Sequence, residues 1–220
     1  MLALPTHAAQ WDAAEHRPFD TQGEAPMREI IVHEFMTLDG VIQAPGGADE
    51  DTDGGFQHGS WTLPYWHDSI GERFSQAWSQ TGAFLLGRKT WQIHGTAFEA
   101  MAGDPFADAM NEMPKYVVST TLTSASLWRN STLISDNVIE TVTALKQEPG
   151  KNLLIDGSSV LIPALAEHDL IDEYWLHVYP LVLGGGKRIF PAGKRINMAL
   201  VETHTLPTGV VFMRYRRAAE

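Results

Sequence analysis

The chain has 220 residues, of which 44% are hydrophobic and 20% charged, enough to build one domain with a substantial core. It has no cysteine, which excludes disulfides, thiolate chemistry and cysteine-ligated metal centres, so a redox role requires a bound organic cofactor. A formal net charge of -11 opposes nucleic-acid backbones, and there is neither a membrane-length apolar run nor a signal-like start, so the expectation is a cytoplasmic protein without nucleic-acid or membrane partners.

Residues 1–26 show no helical or alternating periodicity and are expected to form a flexible tail ahead of a single domain over 27–220. Glu29–Met36 (EIIVHEFM) predicts a buried strand, followed by a long Gly- and Asp-rich loop of the kind that often carries function. Ile70, Phe74, Ala77 and Trp78 share one helix face, Gly82–Leu86 reads as a strand, and a helix starts within Gly87–Trp91. Phe106, Met110 and Met113 mark a helix that stops at Pro114, and Lys115–Ser119 is the next strand.

Val138, Val142 and Leu145 repeat the helical spacing, and Asn152–Asp156 reads as a strand. A helix over Ser159–Glu167 tolerates Pro163 in its first turn, and Glu173–Tyr179 is a further strand. The chain ends in two strands, Met198–Leu206 and Val210–Arg216, joined by the turn Pro207-Thr208-Gly209. Alternating strands and helices with this ending predict an α/β domain: a mostly parallel central sheet flanked by helices, closed by an antiparallel hairpin.

Two strand-to-helix turns stand out chemically. In Leu85–Trp91, Gly87, Arg88, Lys89 and Thr90 combine a flexible turn, two cations and a hydroxyl at a helix start, a setting that favours a phosphate. Gly157, Ser158, Ser159 and Val160 repeat the arrangement with room for a pyrophosphate, although the stretch is not a G-x-G-x-x-G fingerprint. Each turn also has a plainer reading, as a solvated basic helix start and as a serine-capped helix entry. If strands run parallel, both turns and Ser119-Thr120 meet at the carboxyl edge of the sheet, where ligands of open α/β sheets bind.

Other features point less clearly to chemistry. Asp49, Asp51, Asp53 and Gly54 imitate half an EF-hand loop, but the twelfth position is Ser60 instead of glutamate, so a solvated acidic loop and no metal are expected. His33 and His177 lie within strands and read as packed residues. Lys187-Arg188 and Lys194-Arg195 read as basic surface near the final hairpin.

Four stretches together carry a family resemblance: FMTLDGVI at 35–42, LGRKTW at 86–91, IDGSSV at 155–160 and PLVLGGGKRIF at 180–190. Over about Met27 to the end, the chain resembles the dihydrofolate-reductase-like superfamily, and within it the reductase domains similar to the C-terminal half of the riboflavin-biosynthesis deaminase-reductase. The deaminase half has no counterpart, because its zinc site needs cysteine.

The resemblance implies NADPH as cofactor. It puts Gly87, Arg88, Lys89 and Thr90 at the 2′-phosphate, Ser119 and Thr120 beside the adenosine, and Gly157–Val160 at the pyrophosphate. Met36, Thr37, Gly40 and Val41 would run along the nicotinamide, with Asp39 where substrate meets the hydride. Trp61-Thr62-Leu63-Pro64 is similar to the W-x-L-P segment of true dihydrofolate reductases, in which a carboxylate follows two positions after the proline. That position is Trp66 here, and the nearest carboxylate is Asp68, which reads either as a proton donor or as a helix cap. Asp39 and Asp68 are therefore the candidate proton donors, and Asp39, Trp61 and Trp66 the candidate substrate contacts. The implied protein is a homodimeric reductase acting on a small planar acceptor such as a pteridine, a ribitylaminopyrimidine-like compound or a related carbonyl or imine. The alternative is a non-catalytic NADPH-binding sensor or scaffold.

Overall fold

Strands with apolar side chains on both faces need covering layers on both sides. The chain supplies these in the order β1 (Ile30–Thr37), α1 (Asp68–Ser79), β2 (Thr81–Gly87), α2 (Arg88–Ala100), α3 (Pro105–Glu112), β3 (Lys115–Val118), β4 (Ser131–Ile134), α4 (Val138–Gln147), β5 (Asn152–Asp156), α5 (Leu161–Glu167), β6 (Glu173–Tyr179), β7 (Met198–Thr205) and β8 (Val211–Arg217). The computed structural model describes residues 27–190, 193 and 195–218, and the expected tail over 1–26 lies outside them.

The strands form one sheet in the order β4-β3-β2-β5-β1-β6-β8-β7. Neighbours from β4 to β6 run parallel, and β8 pairs antiparallel with both β6 and β7. Residue parity sorts the core into two layers. Ile30, Val32, Ala83, Leu85, Leu153 and Ile155 pack with Val142 and Leu145 of α4 and with Leu161, Ile162 and Leu165 of α5. Ile31, Phe84, Leu86 and Leu154 point the other way, onto Ala77 of α1, Trp91 of α2 and Met110 of α3. At the closing hairpin, Leu206 donates its N–H to Val210 O at 2.7 Å and Gly209 donates to Leu206 O at 3.0 Å, with Gly209 at φ +83°.

Three local expectations need correction. The edge strand β4 is absent from the periodicity reading because it has only four residues, STLI, with one of them buried; its register against β3 defines it. The helix expected from Ser159 begins instead at Leu161, because Ser158 takes the left-handed φ of +69° and its carbonyl accepts from both Leu161 N and Ile162 N. Neither Ser158 nor Ser159 caps that helix. Asp68 is the first residue of α1 and not its cap, a place taken by His67, whose ring accepts the Ser69 N–H.

His33 and His177 face each other from β1 and β6 with ring centroids 5.1 Å apart, packed against Phe35 and Phe74. Burial pulls His33 down to about 4 and His177 well below the usual histidine range. Both rings are thereby kept neutral at neutral pH.

The antiparallel edge is fastened by an ion cluster. Glu173 is fully buried on β6 and accepts from Trp175 Nε1 at 2.8 Å, from Arg214 Nε at 2.6 Å and from Arg216 Nε at 3.1 Å. Burial pushes its carboxyl up, but the hydrogen bonds from Arg214, Trp175 and Arg216 outweigh burial and leave it below its ordinary value. Removing one partner of a buried ion cluster strands the others, at about 3–5 kcal/mol. Glu173→Ala should therefore lower unfolding stability by about that amount. The urea midpoint measures this, and an unchanged midpoint would refute it.

Candidate active site

The carboxyl ends of β2 and β5 are neighbours in the sheet, and the turns that follow them are bonded to each other. Ser158 Oγ accepts the Gly87 N–H at 2.9 Å, and the Ser158 N–H donates to Thr90 Oγ1 at 2.9 Å. Between them Gly157 sits at φ +70°, where an added Cβ would lie 2.9 Å from Thr90 Cγ2 and Oγ1. Only glycine combines that backbone angle with that approach. Gly87 is the N-cap of α2 and supplies no side-chain cap, so the first-turn amides of this 13-residue helix remain open to an anion.

A cleft of about 710 Å³ opens at this edge, bounded by the ends of β1, β2, β3 and β5. Gly87, Arg88, Lys89, Thr90, Ser119, Thr120, Gly157, Ser158, Ser159 and Val160 all line it, so three segments far apart in sequence meet in one place. The Arg88 guanidinium is exposed at the rim and donates to Gln92 Oε1 at 2.9 Å. Ser119 Oγ accepts from Thr121 N and Leu122 N, fixing the turn beyond β3.

The Met36–Val41 segment runs beside this wall and is not part of it; its flanks Glu34, Phe35 and Ile42–Pro45 are. Met36 packs on the core, and Val41 is fully buried. Thr37 Oγ1 donates to Asp39 Oδ1 at 2.6 Å and accepts the Val41 N–H, while Gly40, at φ +82°, donates to Thr37 O. The Asp39 carboxylate also accepts from Leu183 N at 3.2 Å and Gly184 N at 2.9 Å, and the Thr37 hydrogen bond is the largest cause holding it below the usual range. Asp39 thus ties this turn to the 183–184 backbone. Trp61 is buried, with Nε1 donating to Gln43 O at 2.8 Å, whereas Trp66 and Asp68 are exposed. None of Asp39, Trp61, Trp66 and Asp68 lines the cleft.

Lysines organise the acidic loop. Asp51 binds Lys89 at 2.8 Å and Lys187 at 2.6 Å; Asp53 binds Lys187 at 2.7 Å and also pairs with Lys89. Hydrogen bonds from Lys187 and Lys89 hold Asp53 down to about 2. The loop is therefore a clamp across the mouth of the cleft and not simply a solvated acidic stretch. Lys187, read from sequence as hairpin surface, is part of the cleft wall. Among the described residues there is no group of three or more His, Asp or Glu that could hold a metal ion.

Two carboxylates carried by the strands at the cleft floor escaped the sequence reading. Glu34 is 3% exposed on β1, and Asp156 ends β5. Burial, with the Asp156 charge adding to it, holds Glu34 well above the usual carboxylate range. Burial first and the Glu50 charge second lift Asp156 to about 7. The signals were present: a charge inside an apolar strand, and a carboxylate at a parallel strand's carboxyl end.

Residues 28–212 match the RibD C-terminal domain family. The chain belongs to that family. It is 30% identical over 194 residues to the uncharacterized protein YyaP of Bacillus subtilis, covering 86% of this chain and 94% of YyaP. Among solved structures, a pyrimidine reductase-like protein from Corynebacterium diphtheriae matches with a TM-score of 0.56 at 13% identity, over 88% of this chain and 93% of that one. A dihydrofolate reductase from Enterococcus faecalis complexed with NADP(H) matches with a TM-score of 0.58 at 13% identity, over 89% and 100%. Acinetobacter baumannii RibD matches with a TM-score of 0.56 at 19% identity, over 87% of this chain and 58% of that one. These structures share the fold of this RibD C-terminal domain protein, a mostly parallel sheet closed by an antiparallel hairpin.

Gly157→Ala should destabilise the protein by at least about 1–2 kcal/mol, because it adds left-handed strain as well as the Thr90 clash. Equal denaturation midpoints would refute this. Asp156, raised to about 7, contributes stability that is complete below its unfolded-chain value and lost as pH rises through about 7. Asp156→Asn should therefore gain melting temperature relative to the unsubstituted protein between pH 5 and pH 8, and a difference that does not change with pH would contradict the burial argument.

Proposed function

We propose that the protein is an NADPH-dependent reductase that transfers a hydride to a small planar acceptor, such as a pteridine, a ribitylaminopyrimidine-like compound or a related carbonyl or imine. The observation carrying this reading is the convergence of the 87–90, 119–120 and 157–160 turns on one cleft. Its volume of about 710 Å³ lies within the range typical of small-molecule and cofactor sites.

The residues present fit the cofactor. Arg88 and the open α2 amides suit its 2′-phosphate, with Lys89 held nearby but already neutralised by Asp51 and Asp53. Thr90 and Ser158 each accept one backbone N–H and keep their own hydroxyl proton for a phosphate oxygen. Ser119 and Thr120 border the adenosine end. When bound, reduced nicotinamide supplies the hydride; the protein's part is to orient it and keep water away. Family membership and the NADP(H)-complexed dihydrofolate reductase of the same fold support this choice of cofactor.

Nicotinamide fluorescence titrations of NADPH and NADH test the reading. NADPH should bind more tightly, and Arg88→Ala should weaken it about 10- to 100-fold, the worth of a lost charge-assisted contact, with NADH little affected. Failure of both nucleotides to bind would sink the reductase. Binding without oxidation of NADPH by any of a panel of cyclic imines and carbonyls would turn the reading toward a sensor.

A further inference from the structure

Glu34 is unusual for its place in the chain. It lies within a buried strand and borders the cleft, and its Oε1 has no hydrogen-bond partner among the described residues. The Gly157 N–H lies beside its carboxyl group and only partly offsets the burial. Asp156 stands opposite His33 in the β1–β5 register, one residue from Glu34 on the adjoining strand, and lines the same cleft. Burial opposes ionisation of both carboxyls, and the Asp156 charge adds to it at Glu34, so Glu34 favours its protonated form.

Strand order fixes which end of the cleft they occupy. The sequence β3-β2-β5-β1 spans about 14 Å at ordinary strand spacing. On the reductase reading, on which this inference rests, adenosine lies by Ser119 at β3 and the 2′-phosphate by Arg88 after β2. The Gly157–Ser158 turn after β5 would hold the pyrophosphate, which would leave the β1 end of the cleft to the nicotinamide. We propose that Glu34 holds a proton at the nicotinamide end of the cleft, its ionisation opposed by Asp156, and delivers that proton to the acceptor as the hydride arrives.

The step balances. Reduction of a C=N or C=O acceptor forms a C–H bond with the electron pair of the hydride and breaks the π bond, whose electrons move to the heteroatom. That atom takes the proton from the Glu34 carboxyl, and the nicotinamide leaves oxidised and cationic. The new positive charge favours ionised Glu34, so loss of the hydride and loss of the proton reinforce each other. Water from the open cleft then returns the proton.

Other charged groups around Glu34 do not substitute for it. Glu50, from the long loop, opposes ionisation of Asp156 and is itself tied to the Gly46 and Gly47 amides. Lys89 and Lys187 are paired with Asp51 and Asp53 at the mouth. On α2, Arg88 lies at the rim, and burial lowers His94 to about 4. Glu167 and His168 border the cleft from the end of α5, and His33 is turned to the opposite face of β1.

Calorimetric titration with NADP+ and NADPH, in buffers of differing ionisation enthalpy at pH 7, counts the protons released by each nucleotide. The 2′-phosphate contributes equally to both, so their difference reports the ring. The full chain should release up to about one more proton with NADP+ than with NADPH. Glu34→Gln should abolish that difference and Asp156→Asn should reduce it, while both variants still bind NADPH. Equal release by two nucleotides that both bind would overturn the Glu34 acid and leave the reductase reading standing, as would a difference that persists in Glu34→Gln. If neither nucleotide binds, the reductase reading falls first and the Glu34 acid falls with it.

Discussion

The reciprocal bonding of Ser158 with Gly87 and Thr90 is the constraint on which the candidate site depends. A parallel sheet brings the ends of β2 and β5 side by side, but it does not by itself set the distance between the loops beyond them. One serine does so by accepting an N–H from one end of the LGRKT turn and donating its own N–H to the other. Because the N-cap is Gly87, the amides of Arg88, Lys89 and Thr90 have no side-chain cap. Gly157 makes the approach possible, since a side chain there would separate the two turns. The same bonds delay α5 until Leu161 and leave residues 157–160 as cleft wall instead of helix.

Charge in the cleft is arranged by position and not by total. The chain carries a net -11, yet its cleft holds Arg88, Lys89 and Lys187. Two of these cations are balanced by Asp51 and Asp53, which leaves the Arg88 rim and the α2 amides as the positive end. At the β1 end, burial raises the Glu34 and Asp156 carboxyls above their ordinary range, so the floor there carries less negative charge than two ordinary carboxylates would. A ligand with phosphates at one end and a planar neutral ring at the other matches that gradient. A uniformly charged cleft would not.

Much of the fold was legible because parity in β1, β2 and β5 and helical spacing in α1, α3 and α4 both report burial. The hairpin was legible through Pro207-Thr208-Gly209, a local turn requirement. β4 was not, since a short edge strand rests on its neighbour and not on its own pattern. Within the site, the Gly87 and Gly157 turns could be read because special backbone geometry leaves a mark in residue type. Lys187 could not, because its role depends on Asp51 and Asp53, more than 130 residues away in the chain. Glu34 was hidden by its apolar neighbours, which define the strand so strongly that the one charged residue within it reads as an exception.

That exception bears on how a reductase of this shape could handle its proton. The position where a W-x-L-P segment would place a carboxylate is the exposed Trp66, and Asp68 begins α1 in solvent. Neither position lines the cleft, so neither presents an acid to an acceptor held there. Glu34 is carried instead by β1, hydrogen-bonded to β5 on one side and β6 on the other, so its backbone has little freedom. Desolvation keeps it protonated, and the paired strands hold it in place, the two conditions that a buried proton donor must meet before the acceptor arrives. On the reductase reading, the proton source has moved from a helix end to the centre of the sheet, where stability and protonation come from the same burial.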